Sequence, residues 1–192
     1  TVTFTGAAKT IGGTTSTTFP NISIASGATF TMNNSNTCTT LAFVASATAS
    51  SLTLGTGNPT LTVNGALTIA QPSATSITTA LNINGGTVTV SGLVSNTGTN
   101  VNARIVKIVT TSGTLNANGG ITFTSSVATN NVIDMSGGAG TVNLTGAMTV
   151  GTSTLTAGTA NSTFNYASSG AQTIVAYSYY NLSNSGNGNR TL

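Results

Sequence analysis

Apolar side chains recur at every second position in short runs, and nearly every run is closed by Gly, Asn or Ser. Leu52-Thr-Leu54, Leu61-Thr-Val63, Leu67-Thr-Ile69, Leu81-Asn-Ile83, Val88-Thr-Val90, Ile121-Thr-Phe123, Val142-Asn-Leu144 and Met148-Thr-Val150 all follow this pattern. A period of two sends alternate side chains to opposite faces of a strand. Each run therefore predicts a short strand with one buried face and one uncharged polar face. Helix is disfavoured, because Glu is absent and Lys, Arg and Gln are scarce, while Thr, Val and Ile abound. Asn64-Gly65, Asn84-Gly85-Gly86 and Asn118-Gly119-Gly120 read as turns that tolerate positive φ.

The runs also repeat. Leu61-Thr-Val-Asn-Gly-Ala-Leu-Thr-Ile69 and Val142-Asn-Leu-Thr-Gly-Ala-Met-Thr-Val150 match at every apolar position. Between them lie Val88-Thr-Val-Ser-Gly92 and Ile121-Thr-Phe-Thr-Ser125, so the starts 61, 88, 121 and 142 are spaced by 27, 33 and 21. Their mean of 27 suits a parallel β-helix with three short strands per coil, such as Leu52–Leu54, Leu61–Val63 and Leu67–Ile69. Seven such coils make a rod of roughly 34 Å at ~4.8 Å per coil. A β-sandwich of the pilin-like, donor-strand type is the alternative, since it also uses many short strands. The matched blocks favour the solenoid, because a sandwich needs no repeating unit.

A longer similarity joins the two ends. Thr3-Phe4, Lys9-Thr10-Ile11 and Phe19-Pro20-Asn21-Ile22 correspond to Thr163-Phe164, Gln172-Thr173-Ile174 and Tyr180-Asn181-Leu182. Phe4 and Phe164 stand as far apart along the chain as Asn21 and Asn181. Residues 1–192 thus read as a single all-β repeat domain with a period of about 160 residues, in which 163–192 resembles 3–32.

Charge excludes most chemistry. Four Lys/Arg and one Asp make the chain 3% charged, against about 25% in an ordinary domain. One carboxylate and no His leave no acid/base pair and no imidazole ligand. The chain is therefore expected not to be an enzyme and to hold no catalytic, cofactor-binding or metal-binding residues. Several carboxylates would be needed for calcium. Lys9, Arg104, Lys107 and Arg190 are too few and too dispersed to follow a phosphate backbone, so no nucleic-acid partner is expected. No apolar run approaches the about 18–20 residues of a membrane span. No basic-then-apolar leader opens the chain, as expected of a mature or excised segment.

Several residues carry weaker signals. Cys38 is the single cysteine and reads as a free, buried small hydrophobe. Asp134 reads as a turn aspartate. The rival for Asp134 is an isopeptide crosslink, in which Asp134 assists attack by Lys107 on an asparagine. Tyr177, Tyr179 and Tyr180 read as aromatics that stack along or cap the core. Six glycosylation sequons, at Asn21, Asn33, Asn143, Asn161, Asn181 and Asn189, are no more than composition produces. Eleven Thr-x-Thr triplets fall at irregular spacings and do not exceed composition either, which leaves an ice-binding β-solenoid module as the rival function.

The segment Phe164-Asn-Tyr-Ala-Ser-Ser-Gly-Ala-Gln-Thr-Ile174, followed by Tyr179-Tyr-Asn-Leu182 and Gly188-Asn-Arg-Thr-Leu192, resembles the haemagglutinin-like β-solenoid repeats of large secreted adhesins of Bacteroidota. The likeness is confined to the two terminal segments, 3–32 and 163–192, and the N-terminal copy departs from it by carrying Lys9 in place of Gln172. It implies secretion, an extracellular or cell-surface location and a filament or adhesive role in biofilm-like settings. Surface glycans or other cells are the partners it implies beyond copies of the chain itself.

The residues themselves point the same way. Uncharged, Thr/Asn-rich edges accept further strands readily. The expected function is thus a non-enzymatic structural and adhesive unit that assembles end to end by strand pairing. Either Thr1–Thr5 or Asn181–Leu192 would complete a neighbour's sheet.

Overall fold

The computed structural model describes residues 1–192 except 97, 99–103, 124–126, 152 and 157–160. The alternating runs become strands, laid coil by coil. β1 (Val2–Phe4) and β2 (Lys9–Ile11) form a partial opening turn. β3 (Thr17–Ile24) bends to supply two faces and β4 (Thr29–Met32) the third; β5 (Asn36–Phe43) and β6 (Ser50–Leu54) repeat this. Three coils with separate strands follow: β7 (Thr60–Val63), β8 (Leu67–Ile69), β9 (Ile77–Asn82); β10 (Thr87–Val90), β11 (Val94–Asn96), β12 (Arg104–Val109); β13 (Thr114–Ala117), β14 (Ile121–Phe123), β15 (Asn131–Asp134). β16 (Thr141–Leu144), β17 (Met148–Val150) and β18 (Thr154–Thr156) complete the last three-sided coil. β19 (Thr163–Tyr166), β20 (Gln172–Thr173), β21 (Asn181–Asn184) and β22 (Arg190–Thr191) close the chain in shorter turns.

Neighbouring coils pair in parallel, which makes a β-solenoid of about six turns. The first face stacks the leading halves of β3 and β5 with β7, β10, β13, β16, β19 and β21. The second carries β1, the trailing halves of β3 and β5, then β8, β11, β14 and β17. The third runs β2, β4, β6, β9, β12, β15, β18. The expected strands Leu52–Leu54, Leu61–Val63 and Leu67–Ile69 do lie on three consecutive faces. Among the described residues the only helix is a single 3-10 turn, Ala128–Asn130. None is long and apolar enough to cross a membrane.

Register explains the matched blocks. Leu61, Val88, Leu115 and Val142 are successive partners on the first face, evenly spaced along the chain. The step from Leu61 to Val142 is therefore three whole coils. One reading of the sequence needs correcting. Ile121 does not open its coil; it sits on the second face, paired with Val94, and Leu115 holds the equivalent place. Leu115-Asn-Ala117 ends in a small side chain, so its alternation is fainter than that of Ile121-Thr-Phe123. Thr124 and Ser125, which continued that run, lie outside the described residues. Coil length averages about 25 residues, because the turns tighten towards both ends, as between Thr17 and Asn36 and between Phe164 and Leu182.

The inward positions make a continuous apolar column, with Ile22, Leu41, Leu67, Val94 and Ile121 all fully or almost fully buried on the second face. Burying each such side chain is worth about 1.5–3 kcal/mol. The corner between first and second faces is a ladder of glycines, Gly65, Gly92, Gly119 and Gly146. A Cβ on Gly119 would lie 2.3 Å from the Gly92 backbone, and one on Gly146 2.4 Å from that of Gly119. Close stacking of corners therefore requires these glycines. Positive φ is confined to other turn positions, such as Asn84 (50°) and Gly120 (99°).

Aromatic rings cluster towards both ends of the column. Phe4 stacks on Phe30 at 4.6 Å and meets Phe19 edge-on at 5.8 Å. At the other end Phe164 packs against Tyr166 and Tyr179 at 5.2 and 5.6 Å. The similar segments 3–32 and 163–192 form like pairs, β1 with β3 and β2 with β4, β19 with β21 and β20 with β22. β1 lies on the second face, however, and β19 on the first.

Candidate functional site

The outward surface holds the polar side chains in columns. On the first face Thr60, Thr87, Thr114, Thr141 and Thr163 are successive register partners, all half-exposed. Beside them run Thr62, Thr89, Asn116, Asn143 and Asn165. The asparagines form an amide ladder in which each Nδ2 donates to the coil before it. Asn116 donates to Thr89 Oγ1 at 3.0 Å, Asn143 to Asn116 Oδ1 at 2.9 Å and Asn165 to Asn143 Oδ1 at 3.0 Å. Aligned amides polarise one another, so such a ladder stiffens the face. Counting triplets along the chain missed this array, since its regularity runs across coils. Asn143, one of the sequons, is held in the ladder.

The sole acid forms an ion pair. Lys107 Nζ lies 2.6 Å from Asp134 Oδ2, between β12 and β15 on the third face. Asp134 Oδ1 also accepts from the Ser136 backbone N–H at 2.9 Å and its hydroxyl at 2.5 Å, as expected of a turn aspartate. Burial pushes the carboxyl up, but the hydrogen bonds from Lys107 and Ser136 prevail and hold it below the ordinary carboxylate range. The Lys107 ammonium thus rests against the Asp134 carboxylate. Cys38 is free and fully buried, and burial pushes its thiol up to about 11. Such a thiol is protonated and inert. Among the described residues no group of three or more His, Cys, Asp or Glu could hold a metal ion.

Two of the three tyrosines reach the core. Tyr177 and Tyr179 pack on it, with Tyr179 donating to the Val175 carbonyl at 2.5 Å and its oxygen 3.0 Å from that of Tyr166. Burial raises both phenols. Tyr180 points outward, 50% exposed.

The ends carry the features that sequence reasoning missed. In mid-rod the first-to-second corners are bridged by backbone alone. Leu67 N–H donates to Leu93 O at 3.0 Å, Val94 to Gly120 O at 3.0 Å and Ile121 to Ala147 O at 2.9 Å. At the C-terminal end side chains take over. Buried Gln172 lays its Nε2 over the preceding corner, donating to Gly146 O at 2.7 Å, Leu144 O at 3.1 Å and Thr145 O at 3.4 Å. One register step on, Arg190 spans the next corner. Its Nη2 donates to Tyr166 O and Ser168 O, both at 2.9 Å, and its Nη1 to Gly188 O, Gly170 O and Asn189 O at 2.8, 3.1 and 3.2 Å. The lone sequence signal for this was the Lys9-for-Gln172 exchange between the similar ends.

Among the described residues, strand edges remain unpaired at both ends. β2 begins the third face and β21 ends the first. Leu182 continues the inward column of Val142 and Phe164 yet is 46% exposed. No protein-family model, curated protein or solved structure matches the chain.

Proposed function

We propose that this chain is a non-enzymatic structural and adhesive unit of an extracellular bacterial filament or cell-surface protein, extended end to end by β-strand pairing. The observation that carries the reading is the open inward column at the C-terminal end. Leu182 stands half-exposed on an edge strand where the next coil would cover it. An unpaired, uncharged strand edge templates another strand, because its N–H and C=O groups and its apolar residues gain partners together. The resemblance of the terminal segments to adhesin repeats supports the same role. Negative-stain microscopy with sedimentation velocity at rising concentration tests it. Rods that lengthen along their axis are the expected result. A chain that stays monomeric at high concentration overturns it.

The threonine column on the first face favours a second reading, an ice-binding module. Five threonines stacked in register offer a periodic surface to an ordered lattice. Thermal hysteresis that disappears in Thr114→Lys would support it, and its absence in the parent chain would remove it.

A further inference from the structure

We propose that Asn118 is a site of spontaneous deamidation through its own backbone, and that its conversion to isoaspartate loosens the stack in mid-rod. The reaction needs no partner beyond water and stands independently of the assembly reading above.

Four asparagines precede a glycine: Asn64, Asn84, Asn118 and Asn187. A glycine in the following position leaves its amide nitrogen open to the asparagine side chain, because it brings no Cβ. The fold separates the four. At Asn64 the attacking nitrogen is engaged, with Gly65 N–H donating to Thr39 O at 2.7 Å. At Asn84 the leaving group is engaged, since its Nδ2 donates to Leu54 O at 2.7 Å from a half-buried position. After Asn187, Gly188 N–H donates to Ser168 O at 3.4 Å. Asn118 and Gly119 are both exposed. Among the described residues neither the Asn118 side-chain amide nor the Gly119 N–H has a hydrogen-bond partner. The turn around them is closed only by a long bond, Gly120 N–H to Ala117 O at 3.4 Å. Attacking atom and leaving group are thus both free at Asn118.

The chemistry balances without an oxidant or reductant. Hydroxide takes the Gly119 amide proton, and the nitrogen attacks Asn118 Cγ. The new N–Cγ bond closes a succinimide ring, while the Cγ–Nδ2 bond breaks and Nδ2 leaves as ammonia with a proton from water. Water then opens the ring. Cleavage at Cγ gives aspartate, and cleavage at the main-chain carbonyl gives isoaspartate, which carries an extra carbon in the backbone. The corner has no room for that carbon. A Cβ on Gly119 would lie 2.3 Å from the Gly92 backbone, and one on Gly146 2.4 Å from that of Gly119. Close-packed neighbours transmit the displacement to the coils on both sides. Either product also adds a negative charge to a chain with a single carboxylate side chain.

Peptide mass spectrometry and isoelectric focusing of the full chain, aged in mildly alkaline buffer, test this. Asn118 should convert at least about tenfold faster than Asn64 and Asn84, whose bonds must first open, and ahead of Asn187. In denaturant the four rates should draw together. Conversion of any of the other three ahead of Asn118 in the folded chain overturns the proposal, as does an Asn118 that survives while the denatured chain converts. Freshly prepared Asn118→Asp adds the charge without the extra backbone carbon. Hydrogen exchange at the Val94 amide, which donates to Gly120 O, should quicken several-fold in the aged chain and not in Asn118→Asp. Exchange that ageing leaves unchanged, or that Asn118→Asp quickens equally, overturns the loosening.

Discussion

The middle of this rod and its C-terminal end solve the same stacking problem by different means. From β7 to β16 the first-face strands recur at equal spacing, and Gly92, Gly119 and Gly146 each stack on the glycine of the corner before. Backbone amides then find backbone carbonyls at each step, and glycines let the corners approach. From β19 onward the turns shorten and the repeat lapses. There the carbonyls are met by Gln172 and Arg190, and the rings of Phe164, Tyr166, Tyr177 and Tyr179 cluster below the open end. Regular repetition satisfies the backbone by geometry alone. Where it stops, specific side chains must supply the missing donors, because a buried unpaired carbonyl costs about 1–3 kcal/mol.

That contrast is open to direct attack. Leu115→Ala, in a fully buried mid-rod site, should cost about 3–4 kcal/mol, whereas Leu182→Ala at the open end should cost less than about 1 kcal/mol. Denaturant midpoints compare the two. Comparable losses would mean that the end is as tightly packed as the middle. Gly119→Ala should follow at about 2 kcal/mol, since its Cβ would meet the Gly92 backbone at 2.3 Å. Gly170→Ala, with its nearest neighbour at 3.6 Å, should change stability by no more than about 0.5 kcal/mol.

Arg190→Ala should act locally. Hydrogen exchange at the Gln172 and Ile174 amides, which donate to Asn189 O and Thr191 O, should quicken by about 1–2 kcal/mol of lost protection. The amides of Val94 and Ile121 should exchange as before. Equal acceleration in both places would show that the cap holds the whole rod rather than its end.

The smallest effect concerns pH. Asp134 has its carboxyl held below the ordinary range in the fold, so its contribution is present above the unfolded value and is lost as pH falls through the folded one. The pair is partly exposed, and the loss on acidification below about pH 4 should not exceed about 1 kcal/mol. Thermal melts of the parent and of Asp134→Asn should converge in acid. Melts that stay apart would assign the difference to packing instead.

Much of the solenoid was legible along the chain. Alternation around Leu61, Val88 and Val142 identified inward positions correctly, and the match between the blocks that open at Leu61 and Val142 encoded three coils. Ile121 misled, because an alternating triplet states which side chains share a side of the strand but not which face of the coil the strand occupies. Corner glycines were recognised for the wrong reason at Gly65 and Gly119, since their constraint comes from a neighbouring coil. The end devices were nearly invisible. Gln172 and Arg190 look like ordinary polar residues until stacking shows which carbonyls lie beneath them.

Local pattern thus determined strand, period and polarity, because the period of two and the turn residues act within a few positions of chain. It also determined the near absence of charge, since one carboxylate side chain and no imidazole are facts of composition. Tertiary structure alone decided which runs stack on which, where threonines line up and where the column ends. Those outcomes depend on contacts between residues a whole coil apart, and small changes in loop length shift them without altering any local signal.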